Sequence, residues 1–139
     1  MATLFTRIIQ GELPGRFVYR DDLAVAFLSI HPMKPGHTLV VPRAEVDHWL
    51  DLEPQLAQHL FSVAREVGRG LDRAFQPARV GLMVAGLEVP HVHIHLVPIW
   101  AVNDLDFANQ DTHARPEDLD AAADQIRSAL RKLGCAHVA

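Results

Sequence analysis

Apolar positions recur along this chain at two spacings, one helical and one extended. Residues 3–10 set Leu4 with Ile8 and Phe5 with Ile9 one helical turn apart, and Gly11 ends the run, so a short helix is expected there. Residues 16–20 and 23–28 read as two strands joined by a tight hairpin at Asp21-Asp22. Pro32 and Pro35-Gly36 punctuate a loop, after which His37-Thr38-Leu39-Val40-Val41 reads as a third strand stopped by Pro42. Residues 51–75 carry the longest helical signal: Leu56, Leu60, Val63, Val67 and Leu71 form one apolar stripe. Asp51 is the expected cap of that helix, and Glu66, Arg69 and Arg73 fall on its solvated face.

Residues 79–84 read as a fourth strand, 85–90 as a turn, and 91–98 as a fifth strand. From 99 to 114 no period is visible, and we expect a surface segment that folds over the site or packs on a partner. The final helix spans 116–133, burying Leu119, Ala122, Ile126, Ala129, Leu130 and Leu133, with Gly134 as its stop. Consecutive strands with short turns favour an antiparallel sheet carrying helices. The expected fold class is α+β: about five strands, a long central helix and a C-terminal helix in one domain over 1–139.

Composition narrows the setting. The 49% hydrophobic content of the 139 residues supports one core, and no linker, repeat or low-complexity run divides the chain. No apolar run approaches the ~18 residues of a membrane span, and the N-terminus lacks a signal-peptide pattern. The one cysteine, Cys135, has no disulfide partner and sits near what reads as a frayed end. These features predict a cytoplasmic protein with no membrane partner. Thirteen basic against seventeen acidic residues give a formal charge of −4, which argues against a nucleic-acid groove. A small phosphorylated ligand remains compatible, because local donors can outweigh the global field.

The candidate chemistry lies in His91-Val92-His93-Ile94-His95-Leu96-Val97-Pro98. Alternate residues of a strand share a face, so the three histidines project together while Val92, Ile94 and Leu96 enter a core. At about 3.3 Å per residue, the outer two stand ~13 Å apart on an open face suited to an elongated anion. The row has three readings: incidental surface histidines, a metal site, or nucleophilic chemistry at phosphorus. Three residues in strict register disfavour the first. Zinc–nitrogen bonds of about 2.0–2.1 Å keep one ion from gathering all three rings, although two could chelate. A neutral imidazole is nucleophilic near pH 7, and its neighbours can donate to phosphate oxygens, so the third is favoured.

With the triad in view, the chain resembles the histidine triad (HIT) family of nucleotide hydrolases and transferases. Phe5-Thr6-Arg7-Ile8-Ile9-Gln10-Gly11-Glu12-Leu13-Pro14 is similar to that family's opening segment. Ala26-Phe27-Leu28-Ser29-Ile30-His31-Pro32 and Pro35-Gly36-His37-Thr38-Leu39-Val40-Val41-Pro42-Arg43 resemble its central block. The resemblance implies a HIT-like fold, a homodimer and a small nucleotide as ligand. It makes His93 the nucleophile, His95 a donor to phosphate, and His91 and His37 members of the same network. It further implies a nucleotide pocket with Phe5, Ile8, Phe27, Ser29 and Ile30, and phosphate contacts from the main chains of Glu88 and Val89. No cofactor and no structural metal are expected, since Thr3 and Thr6 stand where some relatives have zinc-binding cysteines. Magnesium would enter only with a polyphosphate substrate. Leu87, Ser29 and Ile99 depart from the family's usual glutamine, ribose-binding acid and arginine, and the loop before the triad is shortened to Met83-Val84-Ala85. Two further readings therefore stand beside the hydrolase: a nucleotide-binding or scaffold protein with little turnover, and a metal-binding module.

Overall fold

The structure is a computed structural model that describes all 139 residues. Eight regular elements succeed one another: α1 (Leu4–Ile9), β1 (Phe17–Arg20), β2 (Ala24–Leu28), β3 (Thr38–Pro42), α2 (Pro54–Phe75), β4 (Arg79–Met83), β5 (Ile94–Ile99) and α3 (Pro116–Lys132). The strands form one fully antiparallel sheet in the order β1-β2-β3-β5-β4. The expected α+β architecture is therefore the observed one.

Strand periodicity assigns the two faces. Ala24, Ala26 and Leu28 of β2, Val40 of β3, and Ile94 and Leu96 of β5 enter the main core beneath α2 and α3. The alternate residues Val25, Phe27, Leu39 and Val41 face the other way and pack with Phe5 of α1. β2 and β3 are buried at every position because both faces are covered, which is why their sequences read as unbroken apolar runs. The register sets Phe27 beside Leu39 and Leu39 beside His95, so His95 belongs to the α1 face.

Several expectations need correction. Asp51 does not cap the long helix; it closes a short 3₁₀ turn (Trp49–Asp51), and Glu53 precedes Pro54, whose fixed φ suits a first helical turn. Glu66 is half-buried rather than solvated, and Leu133 lies past the last turn of α3, where Ala123 joins the buried stripe instead. Pro42 is the last residue of β3, paired with Ala24, and not a stop before it. The C-terminus is not frayed: Arg20 N–H donates to the His137 carbonyl (2.9 Å) and Ala139 N–H to the Val18 carbonyl (3.1 Å). These bonds cover the outer edge of β1 and leave β4 as the open edge of the sheet.

Gly36 delivers His37 to the start of β3. Its φ is +95°, and a Cβ there would lie 2.5 Å from the Phe75 ring, so both backbone angle and space demand glycine.

Candidate active site

The triad is neither on an open face nor wholly in a strand. β5 begins at Ile94, so only His95 sits in the ladder; His91 and His93 occupy the irregular approach to it. All three are buried, as is His37. The expectation of an open row failed because α1 and the loop before β5 lie over this face, which period-two spacing cannot reveal. Phe5 stacks edge-on against His93 at 4.9 Å between ring centroids, and the His93 ring is 4.9 Å from that of His95.

Main-chain atoms orient the rings. His93 Nδ1–H donates to the His91 carbonyl (2.7 Å), which leaves the lone pair of neutral imidazole on Nε2. His91 Nε2–H donates to the Pro42 carbonyl (2.8 Å), and its Nδ1 accepts from the Thr3 hydroxyl (2.7 Å). That same hydroxyl oxygen accepts the Thr6 N–H (3.1 Å), so Thr3 caps α1 and fixes His91 at once. On the far side, Met33 N–H donates to His37 Nδ1 (3.0 Å). His37 therefore carries its proton on Nε2 and gives it to His95 Nδ1 (2.9 Å), making His95 Nε2 a proton-bearing donor. Burial, reinforced by repulsion from His95 and His93, pushes the His37 pKa down to about 3. Burial also lowers the pKa values of His91 and His95.

Glu88 also enters through its side chain, a contact that the sequence expectation did not include. Its Oε2 lies 2.7 Å from His93 Nε2 and 2.9 Å from His95 Nε2, while Oε1 accepts the Leu87 N–H (3.0 Å). Burial disfavours its charge, but the hydrogen bonds it shares with His93 and His95 outweigh that cost and hold the carboxyl down at about 2. Gly86 supports this turn at φ +81°.

A cavity of about 400 Å³ opens beside these groups. Phe5, Ile8 and Phe27 line its apolar part, Ser29 and Ile30 another side, and Glu88, Val89, His93 and His95 the part nearest the triad. The residues singled out in the sequence thus converge on one cavity, except His91 and His37, which stand behind the triad. Sequence reasoning missed Thr3, the Met33 amide and Phe107. Thr3 had a readable signal as a threonine just before a helix. Phe107 belongs to the stretch without a period, which forms two short 3₁₀ turns and brings its ring to 5.4 Å from that of His95. A larger open concavity of about 630 Å³ lies at the β1–β2 hairpin. There the Tyr19 hydroxyl and His59 already satisfy Asp21 at 2.7 Å each.

Glu88, His93 and His95 also present three possible metal ligands within 4.8 Å of one another. The protonation pattern does not suit an ion. A metal needs a lone pair on His95 Nε2, and the Met33–His37 relay keeps a proton there. The arrangement suits an anion instead.

Comparison with known proteins shows what the chain is similar to. The HIT domain matches residues 10–100. The protein Hit of Bacillus subtilis is 31% identical over 135 residues, covering 91% of this chain and 93% of its own. An asymmetrical bis(5′-nucleosyl)-tetraphosphatase of Schizosaccharomyces pombe is 35% identical over 85 residues, 58% of this chain and 47% of that protein. Among solved structures, a zinc-bound histidine triad family protein of Mycobacterium smegmatis superposes with a TM-score of 0.83 at 24% identity, covering 99% of each chain.

Proposed function

The chain belongs to the HIT domain family, and from that premise we propose that it cleaves a nucleotide at its α-phosphorus through a covalent nucleotidyl-histidine. The substrate class is a nucleoside phosphoramidate or a dinucleotide polyphosphate. The observation that carries this reading is the bond from His93 Nδ1–H to the His91 carbonyl, which aims the Nε2 lone pair at the cavity. A relative named as a dinucleotide tetraphosphatase supports the substrate class.

In the first step His93 Nε2 bonds to the α-phosphorus as the bond to the leaving amine or phosphate breaks, and the leaving group takes up a proton from solvent, which the attacking water returns in the second step. Water then attacks the same phosphorus, the P–N bond breaks, and nucleoside monophosphate leaves with His93 restored. His95 Nε2–H donates to a phosphate oxygen as negative charge develops. His91 supports His93 through its carbonyl, and His37 fixes the tautomer of His95. Phe5, Ile8 and Phe27 offer the base an apolar slot, with Ser29 and Ile30 toward the sugar and the Glu88–Val89 main chain toward the phosphate. No metal enters the covalent step, and magnesium would arrive only on a polyphosphate. A cytoplasmic setting accords with such a substrate and with the single cysteine. The working form is a homodimer, supported by the open β4 edge and the exposed Phe61 and Leu82 beside it.

The test is incubation with adenosine 5′-phosphoramidate and, separately, a diadenosine polyphosphate, with His93→Ala as control. Monophosphate release by the unmodified protein alone is expected, with loss of at least about 10³-fold in the variant. Equal inertness of both proteins with retained nucleotide binding would overturn the hydrolase reading and leave a binding module.

A further inference from the structure

The nucleotide reading assigns His93 Nε2 and His95 Nε2 to a substrate phosphate, yet both already address one carboxylate oxygen of Glu88, at 2.7 and 2.9 Å. We propose that Glu88 is a built-in anion that caps the phosphate position, so that the site admits a phosphate only when the rest of the ligand is bound well enough to displace it. The proposal rests on the nucleotide reading for the identity of the ligand, but its core concerns only the anion.

Three observations carry it. First, the carboxylate meets donors of the kinds a phosphate would use: two imidazoles on Oε2 and the Leu87 N–H on Oε1. Second, the components differ in how firmly they are held. His93 and His95 are buried and held by main-chain or relay bonds, whereas the Glu88 side chain is about a third exposed, on a turn at Gly86. Displacement therefore means swinging one side chain toward solvent, with the rings staying in place. Third, the protons can be counted. His95 supplies a hydrogen to the carboxylate from Nε2, but the neutral form of His93 has none there, because its proton is on Nδ1. The 2.7 Å contact between His93 Nε2 and Glu88 consequently needs one additional shared proton. While the cap is seated, the lone pair required for attack is occupied by that proton. Moving Glu88 away both vacates the phosphate position and breaks this shared contact, so that the extra proton passes to solvent water and the Nε2 lone pair is restored.

The cap sets a threshold of affinity. Every incoming anion must overcome the same displacement, so a small one such as inorganic phosphate gains little on balance. A nucleotide gains in addition from burying its base against Phe5, Ile8 and Phe27, which line the same cavity. The cap therefore lowers both affinities by the same factor, and the nucleotide, which binds more tightly, still occupies the site at concentrations where free phosphate does not.

The experiment compares inorganic phosphate, adenosine 5′-monophosphate and adenosine on the full-length protein, Glu88→Ala and Glu88→Gln, by calorimetry. Ring-nitrogen NMR of His93 and His95 reports on the anion directly. Phosphate and the monophosphate should each bind Glu88→Ala roughly tenfold more tightly than the unmodified protein, a change of about 1.4 kcal/mol. Glu88→Gln should change in the same sense by less, and adenosine should bind all three equally. Anion affinity that is equal or weaker in a folded Glu88→Ala overturns the cap. If no form binds adenosine or its monophosphate, the nucleotide reading fails, and the phosphate arm still decides the cap on its own.

Discussion

His37 and His95 lie ring to ring, His37 Nε2 standing 2.9 Å from His95 Nδ1, with the Met33 N–H on the far nitrogen of His37. The order of donors is fixed from the outside inward. A main-chain amide can only donate, so His37 Nδ1 must accept, and each later proton position is then determined. A backbone amide in the loop before β3 thus decides what His95 presents to a ligand.

Acid should weaken the fold through this pair. Unfolded His37 takes a proton near its ordinary 6.5, but the buried ring resists until about 3. Between those values the unfolded chain binds the extra proton, so stability falls as pH falls, by up to about 1.4 kcal/mol per pH unit. His91 and His95, lowered likewise, add in the same sense. Urea midpoints measured from pH 7 to 5 should drop, and His37→Asn should flatten part of the slope. A midpoint independent of pH would contradict the neutral network.

Zinc affinity should respond to His37 in a counterintuitive direction. Removing a histidine normally weakens a metal site, but here the relay is what keeps a proton on His95 Nε2. With His37→Ala the His95 ring can take its other tautomer and offer Nε2 to an ion alongside His93 and Glu88. Competition with a zinc indicator should show tighter binding in the variant than in the unmodified protein. Weaker binding would mean that His37 itself helps to hold the ion.

How much of the fold and site was legible in the sequence differs by element. The regular elements were readable because their periodicities are local: the α2 stripe of Leu60, Val63, Val67 and Leu71 is also the buried one. The burial of the triad was not, since what covers His93 is Phe5, far away in sequence. The Glu88 side chain was hidden for a different reason. An acidic residue in a glycine-containing turn reads as solvated, and only the fold brings it to two imidazoles. His137 to Ala139 read as a loose end because an edge pairing of so few residues leaves no period.

Thr3 should couple the first helix to the triad. Its hydroxyl is at once the N-cap acceptor of α1 and the donor to His91 Nδ1. Thr3→Val keeps the shape and removes both bonds, at a cost of about 1–3 kcal/mol from the lost cap and the unsatisfied buried nitrogen. Thermal denaturation should show the loss, and Thr3→Ser should restore most of it. If substrate turnover is established, kcat should fall more than KM rises, because His91 reaches the ligand only through its carbonyl to His93.

The open edge of β4 should prove to be where two copies meet. The other edge of the sheet, β1, is partly covered by residues 137–139 of the same chain, whereas β4 exposes unpaired main-chain groups. Beside it Phe61 of α2 is 61% exposed and Leu82 of β4 is 43% exposed, and with Ala64, Gly68 and Leu96 they form the apolar part of a groove rimmed by Arg65, Arg69, Asp72 and Arg79. Leaving such a face in water is unfavourable at roughly 25 cal/mol per Å² of apolar surface, so a copy that covers it is stabilised. Leu82→Lys places a charge at the centre of that surface while leaving the core untouched. Light scattering on a sizing column should give a dimer for the unmodified protein and a monomer for Leu82→Lys with an unchanged circular dichroism spectrum. Phe61→Ser should act in the same direction, and Arg20→Ser on the opposite edge should leave the dimer intact. A monomer before any substitution would refute the assignment, and loss of the dimer in Arg20→Ser would move the interface to β1.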